Sequence, residues 1–359
     1  MYRNFLLSAL LAFVILTAAI LFINTKWPHA SQRVVSVSPV VFGHVNGVRM
    51  MPTHFYVNKA LNKRIISDFA NSRFISSTYT GESYWTSSNL PSLGRPHALT
   101  YSPEAQKYFA VDTDNNQLIS FTSFDVNLKD DIQRYSEVNG TPIGKRPHDI
   151  AYNPVDKNVY VVLSDGVLRF TANSDGILDS DFISRSTIAT AIRKNQPNET
   201  VKVGYVRALT IVDDVLFLSN STQGNIIQIN DFLNPDTWLI HINKKQPQKY
   251  AEKGNFDSDG LIINDIEYFN GYWYATNYYT GNINNYLGGA AVSKNKLIRW
   301  KTWEDFENSN WEDLSALVHP ESITYNFAKG DHDLYLSMFH SGNDEGLGSG
   351  VYNIKTGYF

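Results

Sequence analysis

Six polar side chains stand at corresponding points of a repeated pattern: Asn46, His97, His148, Arg207, Asn264 and Glu321, with Asp265 directly after the fifth. Amide and carboxylate oxygens suit a hard divalent cation such as calcium, which takes six to eight oxygen ligands. Imidazoles act as general bases near neutral pH or as ligands of softer metals, and a guanidinium steadies an anionic group. The set therefore predicts a site in which Asn46, Asn264, Asp265 and Glu321 hold calcium while His97, His148 and Arg207 do the catalytic work. The competing expectation is a polar lining that holds ordered water and caps strands. Convergence of six such groups in one place favours a ligand.

The elements that must bring them together are short strands. Arg95-Pro96-His97-Ala98-Leu99-Thr100-Tyr101, Tyr108-Phe109-Ala110-Val111 and Gln117-Leu118-Ile119-Ser120-Phe121 read as three strands separated by Pro, Asp and Asn turns. The unit recurs six times, with the aligned polar residues 51, 51, 59, 57 and 57 apart. Second strands follow as Phe55-Tyr56-Val57, Tyr108-Phe109-Ala110, Val159-Tyr160-Val161, Leu216-Phe217-Leu218, Trp273-Tyr274-Ala275 and Leu334-Tyr335-Leu336. Repetition at this period predicts an all-β, six-bladed β-propeller over residues 32–359, whose innermost strands gather the aligned residues at one channel mouth. The last unit has little chain left after its third strand. Residues 33–42, a Val-rich strand ahead of the first unit, are expected to supply the missing outer strand and close the ring.

The chain is 43% hydrophobic and 13% aromatic, enough for a large core, and its net charge of −4 argues against nucleic acid as a partner. No cysteine is present, which excludes disulfides and thiolate chemistry. Residues 5–24 carry no charge and are long enough to cross a bilayer as a helix, with Arg3 before and Lys26 after. A single N-terminal transmembrane helix in the segment 1–31 is expected, with the propeller on the extracytoplasmic side. Cleavage as a signal peptide, giving a secreted form, is the alternative. The expected partners are the membrane, and a small-molecule ligand or an extracytoplasmic protein.

Other motifs carry less. Asp112-Thr113-Asp114-Asn115-Asn116 and Asn173-Ser174-Asp175-Gly176 fall between strands, where turn chemistry explains them. Asn255-Phe256-Asp257-Ser258-Asp259-Gly260 begins like an EF-hand loop but has Ile266 at the twelfth position. Sequons occur at Asn139, Asn198 and Asn220. Neither a Gly-x-Ser-x-Gly elbow nor a phosphate loop is found. Two connections, 177–205 and 241–263, exceed what the template needs and read as a lid or as solvated loops; the second carries Lys244, Lys245, Lys249 and Lys253.

The pattern resembles six-bladed propellers of the NHL, gluconolactonase (SMP-30), strictosidine synthase-like and paraoxonase/arylesterase group. Asn264-Asp265-Ile266 with Tyr274-Ala275-Thr276-Asn277-Tyr278-Tyr279 is similar to segments of the paraoxonase branch, as is Pro96-His97-Ala98-Leu99. The resemblance implies calcium-dependent lactone or ester hydrolysis, with Asn264 as a metal ligand and His97 assisting the attack of water; Glu321 and Asn46 are similar in kind to further ligands. Arg207 departs from it, standing where another Asn ligand is expected. A second His is absent from Val111-Asp112-Thr113, and so is that branch's cysteine pair. The other expectation is a non-catalytic propeller that binds carbohydrate or protein.

Overall fold

The computed structural model describes residues 32–80, 85–89, 93–124, 131–138, 140–244, 261–277, 296–319, 322–339 and 349–358. Two compact units divide the chain, Val37–Ile354 and a small one made of Met1–Ser36 with Lys355–Phe359. The described residues of the small unit are extended strand ends.

The large unit carries the blades. Each is a four-stranded antiparallel sheet built outward from an inner strand. The inner strands are Pro52–Asn58, Pro96–Ser102, Asp149–Tyr152, Val206–Val212, Ile263–Phe269 and Ile323–Lys329. The second strands are Lys63–Asp68, Lys107–Asp112, Val159–Leu163, Val215–Asn220, Tyr272–Asn277 and Leu334–Phe339. Aromatic and β-branched residues fill both because each sheet is packed on two faces. In the sixth sheet the outermost position is taken by the strand Gln32–Phe42, next to Gly350–Tyr358. The N-terminal strand thus closes the ring, as the sequence predicts. Gly43 N–H donates to Ser349 O at 2.9 Å there, and a Cβ on Gly350 would collide with the Val41 carbonyl, so the close approach needs glycine.

The first blade corrects the sequence alignment by one strand. Phe55-Tyr56-Val57 is in the innermost strand, not the second, and Lys63–Asp68 follows it outward. What was aligned as the opening strand is a hairpin, His44–Val45 with Val48–Arg49, turning on Asn46 and Gly47 at φ +54° and +74°. Asn-Gly with both residues left-handed is the favoured two-residue hairpin turn.

The long connection 177–205 opens as a fourth strand, Gly176–Ser184, and continues as the helix Arg185–Asn195. Ser184 caps this helix by accepting from Thr187 N–H at 3.1 Å, and Ile188, Ala189, Ala191 and Ile192 fill the core shared by the third and fourth blades. It is packed scaffold, neither lid nor solvated loop. Among the described residues no helix is long and apolar enough to cross a membrane; the expected helix at 5–24 lies outside them. Lys245, Lys249, Lys253, the 255–260 motif, Tyr278, Tyr279 and Asn139 also lie outside.

Candidate functional site

Every described blade except the third carries a register shift near the start of its inner strand, at Pro52/His54, Pro96/Leu99, Val206/Leu209, Ile263/Asp265 and Thr324/Phe327. A bulge leaves the residues inside it unpaired and re-aims their side chains. Residues at these shifts, with their counterparts in the unshifted third blade, border the channel in two layers. The mouth layer is Thr53, His97, His148, Arg207, Asn264 and Tyr325; the layer beneath is His54, Ala98, Asp149, Ala208, Asp265 and Asn326.

Four of the predicted ring residues, His97, His148, Arg207 and Asn264, therefore stand at the mouth. Asn46 does not: it is exposed at the hairpin tip, and Thr53 holds the first-blade position. Glu321 lies outside the described residues, and the sixth-blade position belongs to Tyr325. Asp265 is in the second layer.

Tyr325 is the hub of the mouth. Its hydroxyl lies 3.0 Å from His97 Nδ1, 3.2 Å from His148 Nε2 and 2.8 Å from Arg207 Nη2. A guanidinium only donates, so the phenol oxygen accepts from Arg207, donates its own proton to one imidazole and accepts an N–H from the other. Because His97 faces the hydroxyl through Nδ1 and His148 through Nε2, the arrangement assigns the same tautomer to both rings. His97 and His148 are 4.1 Å apart at 32°, and the Tyr325 ring lies nearly parallel to both. Phe69 closes one side at 4.4 Å from His97. Burial holds His97 well below the ordinary imidazole range, and the charges of Arg207, Arg146 and Arg95 push it further. His148 is lowered by burial first, then by His97 and Arg207. Both are neutral at pH 7 and able to take a proton.

The waist beneath is acidic. Asp149 accepts from Ile150 N–H and, across to the fourth blade, from Leu209 N–H, each at 2.9 Å. Asp265 does the same between the fifth and sixth blades, accepting from Ile266 N–H at 2.8 Å, Phe327 N–H at 2.7 Å and Asn326 Nδ2 at 2.8 Å. Burial nevertheless dominates: Asp149 is pushed up to about 7, and Asp265 well above its ordinary range by burial and then by Asp149. His54, buried with an unpartnered Nδ1, is lowered to about 3. Between the layers lies a cavity of about 10 Å³, the space of one water or one small ion. Asn264 and Asn326 both border it, and the Oδ1 of each is buried without a hydrogen-bond partner. Further down, the channel opens into a cavity of about 270 Å³ bordered by Thr100, Thr210, Glu267 and Lys329.

Sequence reasoning missed Tyr325, Asn326, Asp149, Thr53 and His54 as channel residues. The signal for Tyr325 was Phe327, which pairs with Leu336 as Leu99 pairs with Ala110 and Ile266 with Ala275. Counting back two from that residue finds the mouth position in these blades. Asn277, part of the segment carrying the family resemblance, is scaffold here: its Oδ1 accepts from Ile262 N–H at 2.8 Å. Asp68, Asp112 and Asn220 do the same at the ends of their second strands for Met51, Gly94 and Gly204 N–H. The turn reading of Asp112 thus holds, and Asn220, the acceptor of its sequon, is fully buried.

No family model matches the chain, and no curated protein matches it. Solved structures do. A catalytically inactive virginiamycin B lyase from Staphylococcus aureus, with quinupristin, superposes with TM-score 0.51 at 13% identity, over 90% of this chain and 88% of that one. The PQQ-bound aldose sugar dehydrogenase of Streptomyces coelicolor gives 0.52 at 14%, over 92% and 100%. A Bacteroides thetaiotaomicron protein of unknown function gives 0.52 at 10%, over 91% and 76%. At these identities the likeness shows the fold, a six-bladed propeller of the kind the sequence resembles.

Proposed function

We propose that the protein is an extracytoplasmic, membrane-anchored propeller whose channel mouth binds a small molecule, and that it hydrolyses a lactone or ester there. The observation that carries this reading is the Tyr325 hydroxyl held between His97, His148 and Arg207. A neutral imidazole beside a phenol and a guanidinium can take the proton of an attacking water while the cation steadies the oxygen that becomes negative. The same imidazole returns the proton to the departing alkoxide, so the step balances as ester plus water to acid plus alcohol. Membrane anchoring rests on the uncharged segment 5–24.

Calcium fits the waist better than the mouth. Among the described residues no three His, Asp or Glu side chains gather as a metal cluster, so a cation depends on amide oxygens. Asn264 and Asn326 offer unpartnered Oδ1 atoms, and the carboxylates of Asp149 and Asp265, raised by burial, gain most from a positive charge. These four residues would hold the ion, whose chemistry is to polarise a carbonyl. The hydrolase reading is tested with soluble protein, residues 32–359, by elemental analysis and calorimetry with and without chelator, followed by a screen of aryl esters and lactones. Bound calcium that raises the melting temperature, together with turnover, is the expected result. No metal, no chelator effect and no turnover would leave a binding module for carbohydrate or protein.

A further inference from the structure

The tripeptide Arg-Pro-His occurs twice, as Arg95-Pro96-His97 and Arg146-Pro147-His148, and both arginines hold left-handed backbone, φ +42° and +55°. That conformation strains a residue with a Cβ, and the residue before proline is ordinarily extended. Glycine would sit there freely, yet both blades place a cation at the same rim position. Strained backbone of this kind clusters at ligand sites.

These two arginines stand two residues before the two mouth histidines, which are 4.1 Å apart, and a third, Arg207, shares the mouth. The Arg95 guanidinium lies 5.2 Å from the centre of the Phe69 ring, which itself packs on His97. Arg146 is exposed, anchored through its backbone N–H to Asn116 Oδ1 at 2.7 Å, and makes no ion pair among the described residues. Arg207 lies over the rings of Tyr325 and Tyr205 at 5.3 and 5.9 Å. All three charges reach His97. Asp114, 3.4 Å from Arg95 and 42% exposed like its half-exposed partner, offsets little of this field. Aromatic faces stand beside the cations: Phe69 against His97, and Tyr205 edge-on to His148 at 5.8 Å.

We propose that the mouth selects ligands that carry a carboxylate next to a flat apolar group. Arg95 and Arg146 grip the carboxylate in the planar, two-pronged manner that guanidinium groups favour, and Phe69 and Tyr205 cover the flat part. This rests on the reading of the mouth as a ligand site and names its substrate class.

The test is equilibrium titration of the soluble protein with benzoate and with its neutral isostere benzamide, in the presence of chelator and at two salt concentrations. Benzoate is expected to bind at least tenfold more tightly than benzamide and to weaken with salt. The double variant R95Q/R146Q should lose at least tenfold for benzoate and nothing for benzamide, at an unchanged melting temperature because both side chains are exposed. Equal affinity for the two probes, no binding of benzoate, or unchanged benzoate binding by the variant would overturn the inference. Neither probe has an ester bond and no metal is required. Benzoate binding without turnover therefore overturns the hydrolase reading alone, and turnover that ignores substrate charge overturns this inference alone.

Discussion

The mouth and the waist of the channel are adjacent layers of the same six strands, yet they solve the burial of polar groups in opposite ways. At the mouth, side chains from four blades meet at one hub, where Tyr325 bonds two imidazoles and a guanidinium, while Asn264 and Thr53 donate to the Tyr325 and His97 backbone carbonyls. At the waist, Asp149 and Asp265 are spent on backbone N–H groups of neighbouring blades. The first arrangement uses the whole hydroxyl and one nitrogen of each ring, and leaves the far nitrogen of His97, Nε2, for a ligand. The second staples blade three to four and five to six, and leaves an unpartnered amide oxygen on Asn326 that shares the small cavity with that of Asn264 from the layer above. The same fold position thus gathers side chains on one hub in one layer and ties neighbouring blades together in the next.

If the contrast is right, the largest stability loss belongs to the waist. Asp265→Ala leaves the Ile266 and Phe327 N–H groups and the Asn326 amide buried without their acceptor, at a cost on the order of 4 kcal/mol; a chemical melt of the variant measures it. His97→Ala should behave differently, lowering ester or lactone turnover by roughly 100-fold with a small change in melting temperature. Equal destabilisation by the two variants would erase the distinction.

Tyr325→Phe sharpens it. Removing the hydroxyl leaves Arg207 and two imidazoles without their common partner, at about 1–2 kcal/mol, and frees the ring tautomers. Histidine NMR shifts should then move at both His97 and His148. Shifts confined to one ring would break the three-way hub.

The waist carboxylates and the channel histidines respond to pH with opposite sign. Asp149 is raised from 3.8 to about 7 in the folded state, so its contribution to stability is full below pH 4 and is lost as pH rises through 7. The buried histidines are lowered, so theirs is present above about pH 6.5 and is lost as pH falls. Asp149→Asn should therefore gain on the wild type as pH climbs from 4 to 7, as followed by melting temperature. Calcium must displace the same protons, so its stabilising shift is expected to grow over that interval; a pH-independent shift would place the ion away from Asp149 and Asp265. The smallest effect is expected outside both layers: Asn46→Gly, at a left-handed turn glycine accepts, should change stability by less than about 0.5 kcal/mol and leave calcium binding intact.

Much of this was legible from the chain, and the misses have specific causes. The six-fold period, the closing strand and four mouth residues follow from alternation and turn residues. Asn46 was misplaced because Val-Asn-Gly-Val reads as a strand opening when it is a hairpin turn. Tyr325 was missed because the bulge between Thr324 and Phe327 turns a tyrosine that looks like core toward the channel. Asp149 lay beside a marked residue, but nothing local says that Leu209, in the next blade, needs its carboxylate.

What the sequence determined by itself is therefore local and periodic: how many blades form, which segment completes the last, and which polar residues open the second to fifth inner strands. These depend on side-chain alternation and turn chemistry within a few residues. What tertiary structure alone decided is who meets whom across the channel. His97 and Tyr325 are 228 residues apart in the chain and share a hydrogen bond because ring closure sets the sixth blade across the channel from the second and third. The elevated carboxylates and lowered imidazoles share that origin. Burial, which shifts them, is a property of the closed ring and of no single strand.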